Sequence, residues 1–302
     1  EDGIRDSSTS RGLGDVYKRQ AQYALAISNF DQSEEDPKRY NFGFIASTDD
    51  HTARPGTGYK QYERRKMTFA TGVKSKMWEY KYKAEDPNFP EIPKITPGES
   101  QPDSERVSSF VYPGGILAVH SSGRGKDAIW TALKNKNVYG TSGPRILLWF
   151  DLINSPQGKL PMGSEITMSQ NPRFTVRAAG SFKQNPGCSK DSIDSLSPDR
   201  LDYLCAGECY NPTNEREIIE KMEIIKITPQ IYAGEAVSPL IQDPWMIIPC
   251  NGLSECIVEF QDEKFSRDSV YYARAIQEPT QAINGSSLNV RTQFNLCKGS
   301  FR

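Results

Sequence analysis

Residues 173–179 read RFTVRAA, and the side chains alternate without a break. Phe174, Val176 and Ala178 fall on one side of an extended chain and Arg173, Thr175 and Arg177 on the other, because successive Cβ atoms of a strand point to opposite faces. One apolar face and one polar face describe a half-buried strand, as in an antiparallel sandwich. Outward from this stretch, RILLWFD (145–151), KMEIIKIT (221–228), CIVEF (256–260) and VYYARAI (270–276) are further short runs rich in β-branched and aromatic residues, separated by Gly, Pro and Asn loops. Residues 141–302 are therefore expected to form an antiparallel β-sandwich-like domain, with a boundary near Gly140.

Upstream the rhythm differs. AQYALAISNF (21–30) reads as the tail of a helix, NFGFIAS (41–47) as a short apolar strand, and Tyr59 to Ala70 as a charged helix stopped by Gly72. GGILAVH (114–120) reads as a second strand, leading through SSGRG into a helix KDAIWTALKNKN (126–137) with Ala128, Ile129, Ala132 and Leu133 on its apolar face. Trp130 reads as a core residue and Arg145 as a boundary residue. Strand, loop and helix in alternation predict parallel α/β structure over 21–140. Residues 85–113 carry six prolines and form a long loop within it. The opening EDGIRDSSTSRGLGDVYKRQ has no apolar period, so residues 1–20 are expected to be a non-native leader, and the closing NLCKGSFR to be cut short.

Composition narrows the function. Lys plus Arg number 37 against 38 Asp plus Glu, a net charge of −1, so the chain as a whole has no pull toward nucleic acid. No run of about 18 apolar residues occurs, so no membrane span is expected. Small-molecule or polymer substrates remain, and the oligomeric state is open. All six cysteines fall between 188 and 297. Cys205 with Cys209 and Cys250 with Cys256 lie close together in loop-rich segments. That favours disulfides and an exported, periplasmic or extracellular protein. Free thiols are the first alternative. Zinc is the second, although the C-x3-C and C-x5-C spacings lack the usual knuckle.

The chain has only two histidines, each at the end of an apolar run. FIASTDDHTARPG (44–56) holds Asp49, Asp50 and His51. In extended backbone Asp49 and His51 share a side, offering a carboxylate and an imidazole that suit Zn²⁺, Mn²⁺ or Fe²⁺. The alternative is a polar turn in which an aspartate caps the next helix. His120, at the end of GGILAVH, is a weaker metal candidate. If 21–140 were a barrel, both histidines would face one mouth. Ser122, Gly123 and Arg124 lie ahead of a helix, where an anion could bind.

These segments resemble one known family. YNFGFIASTDDHTARPGTGYK, GGILAVHSSGRGKDAIWTALKNKNVYGTSGPRI, LPMGSEI, DPWMIIPC and VYYARAIQEPT, in that order, resemble domain-of-unknown-function family 3604, a branch related to the polymerase-and-histidinol-phosphatase (PHP) metal-dependent hydrolases. The resemblance covers about residues 21–290. It implies the C-terminal part of a distorted PHP-like (β/α) barrel, then the sandwich. It implies metal ligation by Asp49 and His51, with Asp50 at a variable position, and phosphoesterase-like hydrolysis. The early H-x-H motif of such barrels has no counterpart, so a truncated, inactive fragment is expected. A non-catalytic exported binding protein that grips a glycan or partner through the sandwich is the alternative.

Overall fold

The computed structural model describes residues 13–47, 115–205 and 209–279. The helix read at 59–70, the proline-rich loop at 85–113 and the Asp49–His51 motif lie outside the described residues. Helix α1 (Leu13–Ala26) leads into a small ladder of β1 (Ser28–Asn29) and β2 (Lys38–Arg39). β3 (Ile116–Val119), α2 (Lys126–Lys134) and β4 (Val138–Thr141) follow. Then come β5 (Leu147–Ser155), β6 (Gly158–Pro161), β7 (Arg173–Ala179), β8 (Phe182–Gln184), α3 (Lys190–Ser195), α4 (Pro198–Cys205), β9 (Pro212–Arg216), β10 (Ile219–Ile227), β11 (Ile241–Pro249), β12 (Glu255–Gln261) and β13 (Val270–Gln277).

Two antiparallel sheets dominate, in the orders β12-β7-β5-β6 and β11-β10-β13. RFTVRAA forms β7 from its first residue to its last. Phe174, Val176 and Ala178 are buried in one core with Leu148 and Phe150 of β5 and with Met222 and Ile224 of β10. That core lies between the sheets. On the polar face, Arg173 pairs with Glu259 and Arg177 with Glu255 of the neighbouring strand. This is the sandwich-like arrangement the alternation predicts.

β10 is buried on both faces. Met222 and Ile224 point at the opposite sheet, whereas Ile225 and Ile227 meet Leu25 and Ala26 of α1. Gln22 fixes that helix by donating to Asp243 Oδ2 and to the Tyr272 hydroxyl, both at 2.7 Å. Residues 21–26, expected to open a barrel, thus pack on the three-stranded sheet, and α1 runs across the expected leader edge at residue 20.

Other expectations change. Among the described residues no sheet closes into a barrel, and β3 pairs with β4 antiparallel, Val119 opposite Val138. Strand–helix alternation alone cannot fix pairing direction. Here α2 leaves and rejoins the pair at one end, where His120 N donates to Asn137 O. The expected apolar strand at 41–47 forms no ladder, although it runs along β4. A methyl on Gly140 would lie 2.6 Å from Ala46 Cβ, so the glycine permits this close approach. Trp130, read as core, is 58% exposed on α2, with the Lys134 ammonium 5.6 Å from its ring. Arg145 stacks on Tyr210.

Two disulfides lie among the described residues. Cys250–Cys256 joins the end of β11 to the start of β12, stapling one sheet to the other with both cysteines buried. Cys209 pairs with Cys188, not with its nearer neighbour Cys205, because α3 and α4 fold the intervening residues back on themselves. Sequence proximity is a poor guide where a helical excursion returns the chain to its start.

Candidate functional site

Ser47, the last described residue before the D-x-H motif, sits beside Gly115, where an added methyl would lie 2.7 Å from the Ser47 carbonyl oxygen. His120 is at the other end of β3, five residues on, or about 16 Å along an extended chain. The shared mouth therefore lacks its barrel, and His120 has a different setting. Its Nε2–H donates to Leu148 O at 2.8 Å, and its ring lies against Tyr139 and Trp149. Tyr139 repeats the link, donating to Ile146 O at 2.9 Å and accepting from Leu148 N. The pair docks the β3–α2–β4 unit onto β5. Among the described residues, no three His, Cys, Asp or Glu side chains gather in a way that could hold a metal.

Ser122, Gly123 and Arg124 are exposed on one turn. Ser121 Oγ donates to Gly123 O at 2.7 Å, a local bond that closes the turn. Asp127 lies in the first turn of α2 and places a negative charge where an anion would sit.

A different cluster lies at one end of the inter-sheet core. Lys226 on β10 is in phase with Met222 and Ile224, so its side chain enters the space between the sheets. There it meets Asp262, which follows β12 and is 1% exposed. The Asp262 carboxylate accepts from Lys226 Nζ, from the Tyr271 hydroxyl at 2.5 Å and from Lys264 N at 3.0 Å. Burial pushes the Asp262 carboxyl up, but the hydrogen bonds from Lys226, Tyr271 and the Lys264 amide outweigh it and hold the group below its ordinary range. Burial, together with the bond to Asp262, pushes the Tyr271 phenol up. At neutral pH Asp262 is therefore a carboxylate and Tyr271 a neutral phenol.

Lys226 and Asp262 line a cleft of about 440 Å³, within the usual range of about 300–1,000 Å³ for small-ligand sites. Trp245, Gln242, Lys264 and Arg267 contribute to its walls. The Lys226 ammonium lies 5.5 Å from the Trp245 ring and 5.7 Å from that of Tyr271. Arg267 is held by Glu235 at 2.8 and 3.0 Å, and its hydrogen bonds hold the Glu235 carboxyl below its ordinary range. The arrangement offers fixed donors beside an aromatic face, which is suited to binding.

Residues 13–185 match the model of a family described as a protein of unknown function, DUF3604. The chain belongs to that family. No curated protein and no solved structure matches it. The family match includes the D-x-H stretch, His120 and Arg124, whereas the cleft residues lie beyond it.

The strands that carry the cleft are legible in the sequence, but the cleft is not. One signal was present: in KMEIIKI a lysine stands at the same parity as Met222 and Ile224, and a cation on a core-facing position needs a buried partner. No spacing rule points to Asp262, which comes from a turn 36 residues away.

Proposed function

We propose that this family member is a binding protein whose two-sheet part holds a saccharide-like ligand in the cleft between Lys226, Trp245 and Lys264. The observation that carries the reading is a buried lysine ammonium at the floor of a cleft flanked by a tryptophan. A sugar ring has an apolar face for an indole and a rim of hydroxyls for charged or amide side chains. The two disulfides fit an oxidising, exported setting, where free saccharides are met. The test is a titration of the ¹⁵N-labelled chain with a panel of neutral and acidic trisaccharides. Shifts of the Trp245 indole and of the Lys226 and Gln242 amides are expected. A panel that leaves these resonances unmoved would overturn the reading.

A second reading, metal-dependent hydrolysis with PHP-like ancestry, is favoured by the Asp49-x-His51 spacing inside the family-matching span. A divalent metal there would supply a Lewis acid for cleaving a phosphoester or similar bond. No group of three His, Cys, Asp or Glu side chains that could hold a metal lies among the described residues, so no reaction step is derived. Elemental analysis decides this reading: Mn or Zn retained by the chain and lost in His51→Ala supports it, and a metal-free protein after purification with Mn²⁺ or Zn²⁺ defeats it.

A further inference from the structure

We infer that the cleft takes an uncharged saccharide, and that Glu263 and Lys264 together set its preference against charged ones. This rests on the binding reading above and adds the charge class of the ligand and the residues that decide it. The charges of the cleft cancel in pairs. Lys226 is matched by Asp262, and Arg267 by Glu235. Glu263 and Lys264, consecutive in the chain, line the same cleft, are exposed and carry opposite charges. Neither forms an ion pair with a described residue, so both signs face an incoming ligand.

Hydrogen-bonding capacity is balanced in the same way. A lysine ammonium has three N–H donors, and Lys226 commits one to Asp262, which leaves two. Against these stand acceptors. The Glu263 carboxylate receives one bond, from Gln261 Nε2 at 3.3 Å, and the side-chain oxygens of Gln242 and Gln261 receive none from a described residue. Such a lining calls for ligand groups that donate and accept at once. A hydroxyl has one donor and two acceptor lone pairs, whereas a carboxylate only accepts and an ammonium only donates. A carboxylate drawn to Lys226 would share the cleft with Asp262 and Glu263, and an ammonium drawn to Glu263 would share it with Lys226 and Lys264. Trp245 supplies the flat apolar face that a sugar ring can cover.

The experiment uses two matched pairs of trisaccharides on the intact, oxidised chain, galactose against galacturonate and glucose against glucosamine, read by calorimetry and by the Trp245 indole resonance. In each pair in which binding is seen, the neutral sugar is expected to bind about fivefold tighter or more, the scale of one charge contact at 4 Å across water. Neutral binding should be unchanged as salt rises. Two exposed substitutions then move the preference in opposite directions. Glu263→Gln leaves Lys264 unopposed and should raise galacturonate relative to galactose several-fold. Lys264→Gln leaves Glu263 unopposed and should raise glucosamine relative to glucose by a similar factor. A charged sugar that binds the unaltered chain as tightly as its neutral partner overturns the neutral class while the binding reading stands. Preferences that neither substitution moves remove Glu263 and Lys264 as the deciding pair. If no probe moves the Trp245 resonance, the inference and the binding reading fail together.

Discussion

Replacing Lys226 with Met asks how the end of the inter-sheet core is held. The lysine and Asp262 side chains are 9% and 2% exposed, so the pair is out of water. Lys226→Met keeps the aliphatic stem and removes the charge. Asp262 then stays buried with two neutral donors, the Tyr271 hydroxyl and the Lys264 amide. Breaking one side of a buried pair costs about 3–5 kcal/mol, against a typical total stability of about 5–15 kcal/mol. Urea denaturation at pH 7 should register that loss as a lower midpoint with unchanged slope. The pH dependence carries a second signature. In the native protein the Asp262 carboxyl lies below its ordinary value, so its contribution is fully present above the unfolded pKa of about 3.9 and is lost as pH falls through the lower folded value. Without Lys226, burial dominates and raises the folded value above the unfolded one. The variant is then penalised at pH 7 and relieved as the carboxyl protonates, so the gap between the two proteins should narrow toward acid. A loss below about 1 kcal/mol at pH 7, or a gap independent of pH, would refute the reasoning, since either requires a solvated Asp262.

Three further outcomes are expected. Thiol labelling of the denatured, unreduced chain should reach at most two of the six cysteines, and peptide mapping should return Cys188–Cys209 and Cys250–Cys256; six reactive thiols would remove both bridges and the export argument. By loop-closure entropy, losing the 21-residue bridge costs about 3 kcal/mol and losing the 6-residue bridge about 2 kcal/mol, which thermal unfolding of the paired Cys→Ser variants can rank. Gly163 has φ +87° and faces the Asn135 and Lys136 carbonyls, so Gly163→Ala should destabilise by more than about 1 kcal/mol in urea, through both strain and contact. Leu25→Ala empties part of the contact between α1 and the three-stranded sheet and should cost about 2–5 kcal/mol; a neutral result would mean that α1 does not dock there.

What the sequence revealed depended on whether the deciding interaction was local. RFTVRAA places its strand to within a residue because period-2 burial is written in consecutive side chains, and VYYARAI does so by its β-branched and aromatic run, its burial being uniform. The direction in which β3 and β4 pair is not written there, and alternation of strand and helix suggested the wrong one. NFGFIAS looks like a strand yet joins no ladder among the described residues, where it approaches β4 through the small residues Ala46 and Gly140. Histidine 120 stood at a strand end, but its partner, the Leu148 carbonyl, belongs to another sheet. The cleft was hidden for the same reason, since Lys226, Asp262 and Trp245 meet only after two sheets have packed.

Helix α1 has a consequence for the order in which the chain can be completed. Gln22 and its partner Tyr272 are 250 residues apart, and the surface that receives Leu25 and Ala26 is built partly from Val270 and Tyr272 of β13. At synthesis rates of roughly 5–20 residues per second, the helix emerges about 12–50 s before its docking face exists. During that interval Leu25 and Ala26 have no native partner, so the docking of α1 must follow the completion of β13.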